Sequence, residues 1–168
     1  MRISNEMEKL INEQINHELH SMNLYLQMAS YFLDQELNGF ANFFRVQSDE
    51  EHAHAMRQFD YLHDVGGKLH LAAIESVQME FNSVLHVFEI TAKHEQEVTA
   101  AINRLVEQAL EEKDYATHTF FQWFVTEQVE EEALMCNILS KVKRIGDNSS
   151  ALYMLDEEMG RRKQQPTG

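Results

Sequence analysis

Before Pro166 the chain contains no proline. Proline removes a backbone donor and breaks helix interiors, so nothing stops this sequence from running as long helices. Apolar residues recur at spacings of three and four, the helical period. In a first segment, about 6–36, the stripe is Met7, Ile11, Ile15, Leu19, Met22, Leu26, Ala29 and Leu33, with Asn5 and Glu8 placed as a capping pair and Asn38-Gly39 as the break. A second segment, about 40–65, turns Phe40, Phe43, Phe44, Tyr61, Leu62 and Val65 inward and ends at Gly66-Gly67. The third, about 84–112, carries Val84, Phe88, Ala92, Thr99, Ile102, Val106 and Ala109. The fourth, about 115–145, carries Phe120, Phe121, Phe124, Met135, Ile138, Val142 and Ile145, and closes at Gly146-Asp147-Asn148. A short fifth helix, about 150–160, uses Leu152, Leu155 and Met159, leaving 161–168 as a tail.

The connections set the topology. Short joints after the first and third helices predict two antiparallel hairpins. Residues 66–83, at roughly 3.3 Å per extended residue, can run the length of a bundle. They therefore predict a crossover that leaves helices two and three parallel. The fold class is all-α: a four-helix bundle with one long crossover and a short fifth helix, in a single domain over residues 1–168.

Other sequence properties narrow the function. The formal net charge is −14, which argues against phosphate-backbone binding and favours cations. The only basic cluster is Arg161-Arg162-Lys163. No apolar run approaches the roughly 20 residues that span a bilayer, and no secretory signal is expected from the acidic start. The one cysteine, Cys136, allows no intrachain disulfide. It reads as a small buried apolar residue, and a cytoplasmic location is expected.

What interrupts the apolar stripes is more informative. Glu18 sits on the inward line of helix one. Helix two places Gln47, Glu51, His54 and Gln58 on its inward line. Helix three places Thr91, Glu95 and Thr99 there, and helix four Gln128 and Glu131. Buried carboxylates are costly unless paired or metal-bound. Glu18, Glu51, Glu95 and Glu131 together carry four negative charges, which two divalent ions would balance. The spacing repeats as well. Glu18 precedes Glu51 by 33 residues, and His54 follows three later. Glu95 precedes Gln128 by 33 residues, and Glu131 follows three later. Residues three apart lie side by side on a helix and can grip one ion. Carboxylates with one imidazole and no thiolate suit iron or manganese better than structural zinc.

These residues closely resemble bacterial non-haem ferritins over nearly the whole chain. The most specific stretches are Asn12-Glu13-Gln14-Ile15-Asn16-His17-Glu18-Leu19, Glu50-Glu51-His52-Ala53-His54, Lys93-His94-Glu95-Gln96 and Glu127-Gln128-Val129-Glu130-Glu131-Glu132. The ligand plan is the one known for di-iron carboxylate bundles, so the assignment is a match to a known pattern. The resemblance implies a ferritin-like fold and a homo-oligomeric shell of 24 subunits. It also implies oxidation of Fe(II) by dioxygen or peroxide and storage of ferric mineral. It implies that Glu18, Glu51 and His54 hold one iron, and that Glu51 bridges to a second held by Glu95 and Glu131. Gln128 would lie beside the pair and Tyr25 next to the centre. Glu50, Glu127 and Glu130 match a third iron site found in bacterial members. Bacterioferritins instead repeat E-x-x-H in helix four and follow the helix-two glutamate with a haem-ligating methionine. Here those positions hold Gln128-x-x-Glu131 and His52, so haem is not expected, although histidine can also ligate it. The one cysteine excludes the cysteine-rich iron domain of rubrerythrins.

Overall fold

Residues 3–163 are described by the computed structural model, so the end of the expected tail lies outside the described residues. Five helices follow in order: α1 (Asn5–Asp34), α2 (Asn38–Asp64), α3 (Val84–Glu111), α4 (Tyr115–Ile145) and α5 (Ser149–Met159). α1 pairs with α2 and α3 with α4 as hairpins, α1 also packs on α3, and α5 lies against α2 and α4. At 1.5 Å per residue the 30-residue α1 is about 45 Å long. This is the expected bundle, with the long connection between α2 and α3.

The crossover is fixed by side chains of α1. Asn12 and Asn16, one turn apart, treat its backbone as a strand partner. Asn12 donates to the Lys68 carbonyl at 2.9 Å and accepts from the His70 amide at 2.5 Å. Asn16 donates to the His70 carbonyl at 3.0 Å and accepts from the Ala72 amide at 2.8 Å. At the other end, the Phe81 ring packs against Tyr31, 5.4 Å between centroids. The connection therefore travels from the Asn12 level of α1 to its Tyr31 level.

Capping explains where the helices begin. Ser4, Ser83, Asp114 and Asn148 each accept an amide three residues on, at 2.9–3.1 Å. The cap of α1 is thus Ser4 and not the Asn5–Glu8 pair. α2 has no local cap, since Leu37 offers no side-chain oxygen. Asp156 of α5 supplies one from 116 residues away, accepting the Phe40 amide at 2.9 Å. Gly39 permits this approach, because a Cβ there would stand 1.6 Å from the Asp156 carbonyl oxygen. Gly39→Ala is therefore expected to push α5 off α2. The checks are a lowered melting temperature and faster proteolysis within 149–163.

The first turn also differs from expectation. α1 ends at Asp34, and Asn38-Gly39 open α2. The reversal is made at Glu36, whose φ of 58° lies in the left-handed region. Lys113 has the same φ of 58° in the second hairpin. Glu36 follows Glu18 by 18 residues, and Lys113 follows Glu95 by 18. The two hairpins are copies in register: Glu18 and Glu95, Glu36 and Lys113, Glu51 and Gln128, His54 and Glu131 are each 77 positions apart.

Two apolar clusters fill the bundle. One joins Tyr25, Met28 and Phe32 to Phe40, Phe44, Phe88 and Met135. The other joins Met7, Ile11 and Ile15 to Ala55, Leu62, Ile102, Leu105, Phe121 and Phe124. Each large buried side chain contributes about 1.5–3 kcal/mol. Between the clusters every helix leaves a gap, and the interrupting polar residues occupy it. Beyond Glu18 the inward line of α1 is Ser21, Tyr25, Met28 and Phe32. Leu26 and Leu33, assigned to the stripe from their spacing, are 54% and 53% exposed. The true helical repeat of 3.6 carries the inward face past them. Cys136, expected to be buried, is exposed.

Candidate metal centre

The polar waist brings all four helices together at one level. Glu18, Glu51 and His54 each offer a ligand atom, and these atoms lie within 4.8 Å of one another. The Glu51 carboxylate stands 3.7 Å from His54 Nδ1, one turn along α2. The reversal at Glu36 lies close to midway along the chain between Glu18 and Glu51, which brings the two carboxylates to one level.

All five charged or imidazole groups here, Glu18, Glu51, His54, Glu95 and Glu131, are buried, each 6% exposed or less. Glutamine amides orient the carboxylates. Gln58 and Gln14 both donate to Glu18 Oε1, at 2.8 and 3.0 Å. Gln47 donates to Glu131 Oε2 at 3.0 Å. Gln128 donates to Glu95 Oε2 at 3.1 Å and to the Glu95 carbonyl at 3.3 Å. Tyr25, fully buried, donates its hydroxyl to Glu95 Oε1. The His54 ring is set edge-on between Trp123 and Phe124, at 5.5 and 5.8 Å.

The electrostatics are those of carboxylates packed without enough cations. Burial, then Glu18 and Glu95, push the Glu51 carboxyl well above its ordinary range. Burial raises Glu95 to about 7, against the hydrogen bonds from Tyr25 and Gln128. Burial and Glu95 raise Glu131 to about 7, against Arg162 and Gln47. Tyr25 is raised by burial and by Glu95 and Glu51, so its hydroxyl stays a proton donor.

The residues present fit a bound metal. Glu18 Oε2 is buried with no hydrogen-bond partner, although its sister oxygen accepts two amides. A buried carboxylate oxygen left bare costs several kcal/mol, and a cation between Glu18, Glu51 and His54 would remove that cost. Hard oxygen donors with one imidazole match iron's preferences. Gln14 and Trp123 are contributors that reading the inward positions did not single out. Gln14 is signalled only by lying one turn before Glu18.

The three further acidic residues border this waist on the Glu131 side. Glu50 is buried, Glu127 half-buried and Glu130 exposed. With Glu131, Leu134 and Arg162 they line a cavity of 290 Å³. Burial raises Glu127, with Glu130 and Glu50 adding to the shift. Arg162 reaches this cavity from beyond α5 and pairs with Glu50 at 2.6 Å. Sequence reading placed Arg162 in a tail; its one signal was membership of the only basic cluster in an acidic chain. His52 is exposed on α2.

Comparison with known proteins agrees with this geometry. The ferritin-like domain family model matches residues 8–145. A bacterial non-haem ferritin from Campylobacter jejuni is 43% identical over 155 residues, covering 92% of this chain and 93% of its own. One from Staphylococcus aureus is 39% identical, covering 95% and 96%. Among solved structures, an open-pore ferritin from the archaeon Archaeoglobus fulgidus superposes with a TM-score of 0.95 at 47% identity, covering 97% of this chain and all of that one. A humanized archaeal ferritin gives 0.97 at 46% identity, covering 98% and 99%. A four-helix bundle with two register-matched hairpins, a buried Glu–Glu–His cluster and this likeness over almost its full length make the chain a member of the ferritin family, alongside its bacterial and archaeal non-haem ferritins.

Proposed function

We propose that the chain is the subunit of an iron store, oxidising Fe(II) with dioxygen at two sites inside its own bundle and retaining ferric mineral in a 24-subunit shell. The observation that carries this reading is Glu18 Oε2, which is buried with no hydrogen-bond partner beside Glu51 and His54. Iron is here the substrate. One Fe(II) is taken by Glu18, Glu51 and His54. Glu51 reaches the second, held by Glu95 and Glu131, with Gln128 steadying Glu95. Two Fe(II) each give up one electron to one dioxygen, which takes up two protons from water and leaves as hydrogen peroxide. The ferric products hydrolyse and release protons.

The chain's own groups serve each stage. The net charge of −14 favours approach of cations. Glutamine amides hold the carboxylates in position before metal arrives, which limits reorganisation on binding. Tyr25, kept protonated, fixes Glu95 through its hydroxyl. The exchange of His54 in one half for Glu131 in the other makes the two positions unequal, with the second held less tightly. Glu50, Glu127 and Glu130 form a third position on the way out of the bundle.

Aerobic addition of Fe(II) to the assembled protein tests the storage reading. Retention of iron far beyond two per chain, co-migrating with protein on gel filtration, is expected. Uptake that halts at two per chain, with no retained mineral, would sink it.

A further inference from the structure

Arg162 is placed with more care than a tail residue needs. Its Nη2 stands 2.6 Å from Glu50 Oε2 and 3.9 Å from Glu131 Oε1. The guanidinium lies over the Phe43 ring, 4.6 Å from the centroid. Asn42 Nδ2 donates to the Arg162 carbonyl at 3.1 Å and to the Gly160 carbonyl at 3.4 Å. The helix that delivers it is itself anchored, by Asp156 on the Phe40 amide and by the close approach at Gly39. Ring, backbone and ion pair thus converge on one charged group. That group faces the acidic cavity of Glu50, Glu127, Glu130 and Glu131.

We propose that Arg162 is a tethered cation occupying the third metal position, so that a third iron binds only when the guanidinium swings out. The proposal rests on reading Glu50, Glu127 and Glu130 as that position. Two physical facts favour a competitor over a simple latch. An arginine stays charged at any physiological pH, so it cannot yield to a metal by losing a proton and must move. Its grip is also incomplete. Nη1 is buried without a partner, where a latch would use the forked, two-bond pairing that makes arginine–carboxylate contacts strong. An orphaned N–H makes the seated state cheaper to leave.

Glu131 links this group to the waist. It is a ligand of the second iron in the proposed function, and Arg162 is one of the two groups that lower its pKa. Seated, Arg162 supplies one positive charge to carboxylates that would otherwise attract a third divalent ion. Unseated, it leaves its place beside Glu50 and Glu131 and opens the cavity there. Traffic out of the bundle is then metered by a side chain that the docking of α5 positions.

The test is a titration of metal-free protein with Zn(II), which keeps its oxidation state, followed by calorimetry and by anomalous scattering from soaked crystals. The wild type is expected to bind two ions tightly and a third weakly near Glu50. In Arg162→Gln the third should tighten about tenfold or more, with the first two little changed. Arg162→Lys, which keeps the charge, should resemble the wild type. Arg162→Ala removes the whole side chain and should reproduce the tightening. A third equivalent equally weak in Arg162→Gln and in Arg162→Ala would overturn the proposal, even with a lowered melting temperature, because that is the signature of a latch. Absence of the first two equivalents in the wild type would remove the metal centre itself, and the proposal with it.

Discussion

Glu18→Gln lowers the initial rate of Fe(II) oxidation by at least about 100-fold while the metal-free bundle keeps its fold. The two halves of this expectation have one cause. Changing groups that merely orient metal ligands costs about 10–100-fold, and Glu18 is placed here as a ligand. Its Oε1 accepts Gln14 and Gln58, and its Oε2 is the bare atom that a cation would meet. Glutamine keeps the shape and one acceptor oxygen for the two amides. It removes the charge, so it relieves the crowding of Glu51, whose pKa Glu18 raises. The melting temperature of the metal-free variant should accordingly be no lower than that of the wild type. Stopped-flow oxidation and thermal unfolding on the same preparation check both halves. A wild-type initial rate would refute Glu18 as a ligand. A normal loss of rate with a collapsed fold would instead make the residue structural.

The second large effect is on stability against pH. Metal-free protein should lose stability as pH rises from about 5 to about 8. Glu95 and Glu131 have folded pKa values near 7, above the ordinary 4.5, because burial opposes their charged forms. The folded state therefore binds protons more tightly than the unfolded chain. The stability this contributes is fully present below pH 4.5 and is lost as pH rises through 7. A shift of this size corresponds to about 3 kcal/mol for one group. Glu95 and Glu131 share a field, so their joint effect is less than twice that. A divalent ion displaces the protons and takes over their role, so saturating Zn(II) should flatten the profile and release protons near neutral pH. Self-repulsion in an acidic chain slopes the same way. The paired variant Glu95→Gln with Glu131→Gln separates the two, since it should remove most of the slope. Stability that climbs between pH 5 and 8 in the metal-free wild type would contradict a burial that opposes the charged forms of these carboxylates.

The bundle was legible in the sequence because its signals are local and redundant. No proline precedes position 166, glycines mark the joints, and the long connection can only be a crossover. The waist was legible because a glutamate on an apolar stripe has few explanations, and the 33-and-3 spacing occurs twice. Three features escaped for physical reasons. Leu26 and Leu33 fit a three-and-four spacing yet face outward, since a 3.6 period drifts off any fixed pattern over seven turns. The reversal at Glu36 was hidden because an unremarkable glutamate adopts the left-handed backbone, while Asn38-Gly39 carries the usual turn composition. Gly39 serves a different need, the approach of Asp156 from 116 residues away. Arg162 was invisible for the same reason: only the docking of α5 brings it to Glu50, and nothing local in the sequence encodes that contact. The family resemblance supplied what neither spacing nor burial states, namely which metal is taken and what is done with it.

The most direct measurement is a metal-free crystal soaked briefly in Fe(II) without oxygen, with anomalous scattering recorded at the iron edge. Two irons per chain are expected in the waist: one bound by Glu18, Glu51 and His54, the other by Glu95 and Glu131, with Glu51 between them and the first position filled to the greater occupancy. An empty waist, with iron only at surface carboxylates, would contradict a two-iron centre in this bundle.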